Sequence, residues 1–121
     1  MIPALVVLIA LAAAPPSEPV DVFVGGEGGY PVYRIPAITR LEGAVHPGRL
    51  LALAEGRGHL GDNGTNDIVL RTSDDGGATF APVRLLCDIP GRSLNNPCVA
   101  ELATGAHAGR VLLMFQSYRE G

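Results

Sequence analysis

The chain has 121 residues, and its 16 glycines and 10 prolines are spread along the whole length, which excludes long helices and reads as all-β. The formal net charge is −3, and the nine basic residues, all arginine, form no cluster. This gives no support for nucleic acid or an anionic membrane surface as partner, because both need concentrated positive charge, and neither is expected.

Residues 2–14 are apolar and end in small side chains before Pro15-Pro16-Ser17-Glu18-Pro19. This predicts a signal peptide over residues 1–14 and a Pro-rich linker over 15–19, with the mature chain secreted or periplasmic. The apolar run is too short for a membrane span; a buried N-terminal strand is the alternative. Cys87 and Cys98 are compatible with a disulfide in an oxidising compartment and equally with two free core thiols.

Residues 21–24 read as a short strand, and Gly25-Gly26-Glu27-Gly28-Gly29 as a loop that matches no dinucleotide fingerprint. Residues 32–39, 49–55, 67–72 and 79–87 then read as four strands of a meander. The turn joining the last two is Ser73-Asp74-Asp75-Gly76-Gly77-Ala78-Thr79-Phe80. Asp75 can accept backbone N–H bonds there, Gly76 and Gly77 supply positive φ, Ser73 and Thr79 can latch the arms, and Phe80 has an apolar body to bury.

Two further strands are expected at 98–102 and 110–117. The runs 50–54 and 111–115 do not alternate polar with apolar, so both strands should be covered on two faces. Blades of a β-propeller meet that requirement. Blade one is assigned to about residues 32–87 and blade two to about 96–121, within a unit spanning 20–121. Stacked units need about three or more repeats to be stable, so the chain reads as the N-terminal part of a longer propeller.

In a meander, alternate loops share an end. The start of the first strand, with Tyr33-Arg34-Ile35-Pro36, should therefore lie beside the loop Glu55-Gly56-Arg57-Gly58-His59-Leu60-Gly61-Asp62. Arg34, Arg57 and Asp62 can meet there, whereas Ser73, Asp75, Gly77, Thr79 and Phe80 belong to the opposite end and are structural. Asp67 is a rival carboxylate, placed just before a strand. Asn96 can line the rim of the site or simply form the turn into the next strand. His46, His59 and His107 show no metal-ligand spacing, and no cofactor or metal is expected. Asn63-Gly64-Thr65 is a formal glycosylation sequon, and a glycan there would obstruct the pocket; a bacterial source suits both this and the leader.

Tyr-Arg-Ile-Pro, Gly-Arg with Asp five positions after the arginine, and Ser-x-Asp-x-Gly-x-Thr-Phe together resemble the first blade of an exo-sialidase (neuraminidase), over about residues 30–121. The eight-residue turn matches that family's Asp box. The resemblance implies a six-bladed propeller that hydrolyses terminal sialic acid from glycoproteins, glycolipids or oligosaccharides with retention. It gives Arg34 to the sugar carboxylate, Asp62 to acid/base catalysis, and Arg57 either to ring substituents or to a salt bridge positioning Asp62. The remaining two carboxylate arginines, the tyrosine nucleophile and its glutamate belong to later blades, and Tyr118 comes too early to match the nucleophile. These residues alone are expected to be inactive. A non-catalytic, glycan-binding Asp-box propeller is the alternative.

Overall fold

The computed structural model describes residues 18–119. These form six antiparallel strands: β1 (Val32–Arg40), β2 (Leu50–Arg57), β3 (Asn66–Ser73), β4 (Arg84–Cys87), β5 (Arg92–Glu101) and β6 (Val111–Arg119). The first four make one sheet in the order β1-β2-β3-β4, and β5 pairs with β6 in a second. The fold is all-β. The predicted signal segment and most of the Pro-rich linker lie outside the described residues.

The second sheet packs on the first through β5, which contacts β1, β2 and β3. Leu53, Ile68 and Leu94 form the buried centre, with Ala37, Leu51, Leu70, Cys87, Val99, Leu113 and Phe115 packed around it. From Ala52 to Arg57 every residue of β2 is buried, as its unbroken apolar run predicts. Glu55 and Arg57 share that burial and must be satisfied by each other or by the second sheet.

The Asp-box turn closes as its residue types predict. Asp75 accepts the Thr79 hydroxyl at 2.5 Å and the Thr79 N–H at 2.9 Å. It also accepts the Ser73 hydroxyl at 2.7 Å, while Gly77 N–H donates to Ser73 Oγ at 2.9 Å. Gly76 and Gly77 have φ of 74° and 95°, a region costly for residues with a Cβ. Arg71 anchors the returning arm by donating to the carbonyls of Phe80 at 2.8 Å and Ala81 at 2.6 Å. Phe80 is half-buried beneath that guanidinium, whose carbon lies 5.9 Å from the ring centre.

Four expectations are corrected. Residues 21–24 form no strand; Val22 instead accepts a 2.6 Å bond from Arg71, and Phe23 packs its ring 5.2 Å from Tyr33. β4 is confined to Arg84–Cys87; ahead of it, residues 79–81 are held by the box and by Arg71. The fifth strand begins at Arg92 and not at 98, since β5 continues through an irregularity between Asn95 and Cys98. β6 is not covered on both faces: Leu112 and Met114 are exposed, while Leu113 and Phe115 turn to the core. Cys87 and Cys98 are free thiols, the first half-buried and the second exposed.

The bonds from Thr79 and Ser73 hold the Asp75 carboxyl well below the usual carboxylate range. A depressed pKa contributes stability that is complete above the unfolded value, about 3.9, and is lost as pH falls through the folded value. Asp75→Asn should therefore lower the urea midpoint at neutral pH. The gap from the parent chain should stay constant down to about pH 4 and shrink below it. Urea unfolding followed by circular dichroism across that range measures both.

Candidate functional site

Arg34 near the start of β1, Arg57 at the end of β2 and the loop 58–65 converge at one end of the first sheet, opposite the Asp box. A pocket of about 360 Å3 lies there, lined by Arg34, Ile35, Arg57, Asp62, Asn63, Asn95, Asn96 and Tyr118. Arg34, Arg57, Asp62 and Asn96 are therefore brought together. Asp67 is not among the lining residues; its Oδ2 accepts the Tyr30 hydroxyl at 2.6 Å. That ring lies against Gly56, where a Cβ would come within 2.8 Å of ring carbons.

Two strand irregularities shape the pocket, and they are alike. In β1 the register with β2 shifts between Arg34 and Ala37, and Ile35 has φ of 50°. In β5 the register with β6 shifts between Asn95 and Cys98, and Asn96 has φ of 54°. Each positive-φ residue is followed by proline, which donates no N–H to a ladder, and each inserts one extra residue as a β-bulge does. Asparagine adopts this conformation readily, but a β-branched isoleucine is strained there. The bulges interrupt regular alternation where Arg34 and Asn96 meet the pocket.

Behind the pocket runs a buried polar network. Glu55 is 0 % and Arg57 1 % exposed. Arg57 Nε donates to Glu55 Oε2 at 2.6 Å, and its Nη2 bonds the same oxygen. Arg57 Nη1 donates to Asp62 Oδ1 at 2.7 Å and to the carbonyls of Gly61 at 2.9 Å and Leu60 at 3.2 Å. All three guanidinium nitrogens thus serve the protein, which favours positioning of Asp62 over direct ligand contact. The other Glu55 oxygen accepts Asn96 N–H at 2.6 Å, tying β2 to the bulge of β5.

Asp62 is fixed by its backbone as well. Its carbonyl accepts from Ser93 Oγ at 3.1 Å and from the side-chain amides of Asn66 and Asn95, each at 3.3 Å. Asn66 also donates to Asn95 Oδ1 at 2.8 Å. The carboxylate itself faces outward, with its side chain 80 % exposed. Arg34 reaches it from β1, Nη1 to Oδ1 at 3.3 Å. Among the described residues, Arg34 Nε and Nη2 have no hydrogen-bond partner, so two donors of a planar fork remain for a ligand carboxylate.

The hydrogen bond and charge of Arg57, with a smaller contribution from Arg34, hold the Asp62 carboxyl below its ordinary range. The unliganded site thus presents an ionised carboxylate flanked by two guanidinium groups. Burial acts against the charge on Arg57, but its bonds to Asp62 and Glu55 outweigh that and raise its pKa. Among the described residues no cluster of metal-ligating side chains is present.

Glu55, Asn66, Ser93, Asn95 and Tyr118 carry much of this geometry, and the sequence reading assigned them no role. A glutamate directly after an apolar strand run and the polar residues Ser93, Asn95 and Asn96 flanking Leu94 are the local signals.

Breaking the buried pair should be costly, because the partner left behind has no water to solvate it. Arg57→Met is expected to destabilise the chain by about 3–5 kcal/mol. Replacing Glu55 with leucine in the same chain should recover part of that loss. In Arg57→Met the Asp62 carboxyl should titrate at higher pH than in the parent, as read from its carboxyl carbon shift by NMR.

No protein-family model matches the chain, and no curated protein matches it.

Proposed function

We propose that the described residues form the first blade and the start of the second in a sialidase-type β-propeller, and that the protein removes terminal sialic acid from glycoconjugates with retention. The observation that carries this reading is the convergence of Arg34, Asp62 and Asn96 on one pocket, with the Asp box at the far end of the same sheet. Two features support the repeat. The same positive-φ residue followed by proline occurs in the first strand of both sheets. Apolar side chains also stand open on the outer surfaces, Ile38 on β1 and Leu112 and Met114 on β6, as blade faces awaiting neighbours would.

The geometry suggests how the chemistry proceeds. A sialoside bears a carboxylate on its anomeric carbon, and the unengaged Nε and Nη2 of Arg34 can grip it with two parallel bonds. Binding there brings negative charge close to Asp62 and diverts Arg34 from it. Both changes raise the Asp62 pKa, so ligand binding itself converts the carboxylate into an acid able to protonate the leaving oxygen. Deprotonated again, Asp62 then serves as the base for hydrolysis. The substrate's negative charge would repel a carboxylate nucleophile, in keeping with the tyrosine used by sialidases as an exception among glycosidases. Export to the cell exterior or periplasm is part of this proposal and rests on residues 1–14.

A second reading, a non-catalytic receptor for sialylated glycans, is supported by the contacts of Asp62, whose outward-facing carboxylate is engaged by both Arg57 and Arg34. Hydrolysis of a fluorogenic α-sialoside by the product of the whole reading frame containing this chain separates the two. Asp62→Ala should lower turnover by about 10²–10⁴-fold, and Arg34→Lys should raise KM as well. Undiminished turnover in Asp62→Ala would remove the acid role, and binding without turnover by the parent would establish the receptor.

A further inference from the structure

The chain has four asparagines, Asn63, Asn66, Asn95 and Asn96, and the fold treats them differently. Asn66 and Asn95 are buried with their amides engaged, Asn66 Nδ2 with Asn95 Oδ1 at 2.8 Å and Asn95 Nδ2 with Ser93 Oγ at 3.1 Å. Asn96 is exposed but is followed by Pro97, whose ring nitrogen carries no proton. Asn63 is exposed, its side chain has no hydrogen-bond partner among the described residues, and the next residue is Gly64.

The structure requires that glycine. The loop 58–65 wraps the imidazole of His59: Gly61 N–H donates to its Nδ1 at 2.8 Å, and a Cβ on Gly64 would collide with its Nε2 side. The ring fills the place of the missing side chain. With no side chain of its own, Gly64 leaves its backbone nitrogen uncrowded next to the Asn63 amide. Asn63 also lines the pocket together with Arg34 and Asp62.

We propose that Asn63 is a site of spontaneous deamidation, at which the backbone nitrogen of Gly64 converts the side-chain amide into a carboxylate and so adds a second negative charge to the arginine pocket. The Gly64 nitrogen loses its proton to solvent base and attacks Asn63 Cγ. A carbon–nitrogen bond forms, the side-chain nitrogen leaves as ammonia after taking a proton from water, and a cyclic imide remains. Water then adds to either imide carbonyl, opening the ring to aspartate or isoaspartate. The balance is water consumed and ammonia released, with nothing oxidised or reduced.

The new carboxylate competes with an incoming carboxylate for the donors of Arg34. The isoaspartate product also lengthens the main chain at position 63, in a loop that Arg57 holds through the carbonyls of Leu60 and Gly61. The pocket therefore loses affinity for anions as the protein ages. The conversion stands apart from the sialoside reading, whereas its effect on a sialoside rests on that reading.

The experiment incubates the product of the whole reading frame containing this chain in mildly alkaline buffer, with circular dichroism confirming that it stays folded. Peptide mapping by mass spectrometry, with isoaspartate labelling, reads all four asparagines. Calorimetry with sialyllactose compares each aged sample with its own fresh sample. Aspartate and isoaspartate should accumulate at position 63 while Asn66, Asn95 and Asn96 remain amides. Affinity should fall by about fivefold, the effect of a like charge about 4 Å away in water. Asn63→Asp should show the loss without ageing, and Asn63→Gln, which closes the imide ring poorly, should keep its own starting affinity. An Asn63 amide that survives as fully as those of Asn66 and Asn95 would overturn the proposal. Conversion at position 63 with unchanged sialyllactose affinity would overturn the charge effect and leave the sialoside reading standing. Failure of the fresh parent to bind sialyllactose would overturn that reading, while the peptide map still decides the conversion.

Discussion

The buried ion pair between Glu55 and Arg57 is the constraint on which the site depends. Neither side chain has access to water, so each must find its partners inside the protein. Arg57 meets that demand by drawing the loop 58–65 onto itself through two carbonyls and the Asp62 carboxylate. Glu55 meets it by taking the N–H of Asn96 from the other sheet. Satisfying two charges in the interior therefore fixes the distance between the first sheet, the Asp62 loop and the bulge of β5.

Strain and preorganisation are concentrated at the same end of the fold. Ile35, with φ of 50°, occupies a conformation that a β-branched residue avoids, and the surrounding structure must compensate. The compensation is visible in the packing of β5 across β1 and in the polar network of Ser93, Asn95 and Asn66 around the Asp62 carbonyl. At the opposite end the fold is conventional. Ser73, Asp75 and Thr79 satisfy one another, and a bidentate Arg49–Asp74 pair at 2.6 and 2.9 Å lies beside them. Glu101, at the end of β5, adds a second link between the sheets by accepting the N–H groups of Glu42 and Gly43 at 2.6 and 3.0 Å. One end of the sheet closes itself, and the other carries the pocket.

The electrostatic balance in the pocket is set by which arginine has donors to spare. Arg57 is wholly committed, and its effect on Asp62 is constant. Arg34 shares one nitrogen with Asp62 and keeps the rest of its fork toward solvent, so its contribution changes when an anion arrives. A carboxylate between one fully committed and one partly committed cation has a proton affinity that depends on the charges brought near it.

Local chemistry was legible in the residues themselves. The Asp box, the unbroken apolar run of β2 and the alternation of loop ends follow from turn propensity, hydrophobic pattern and the geometry of a meander, all of which act over a few residues. They were enough to place Arg34, Arg57 and Asp62 together and the box away from them. What the sequence could not decide was long-range. The extension of β5 back to Arg92 depends on pairing with β6, and the exposed face of β6 depends on what packs against it. The loss of strand structure at residues 21–24 follows from a bond to Arg71, which is 49 positions from Val22. The commitment of Arg57 to Glu55 and Asp62, and the turning of Tyr118 into the pocket, likewise required the two sheets to meet. Burial makes each of those partners obligatory, and only the tertiary structure determines which groups are buried together.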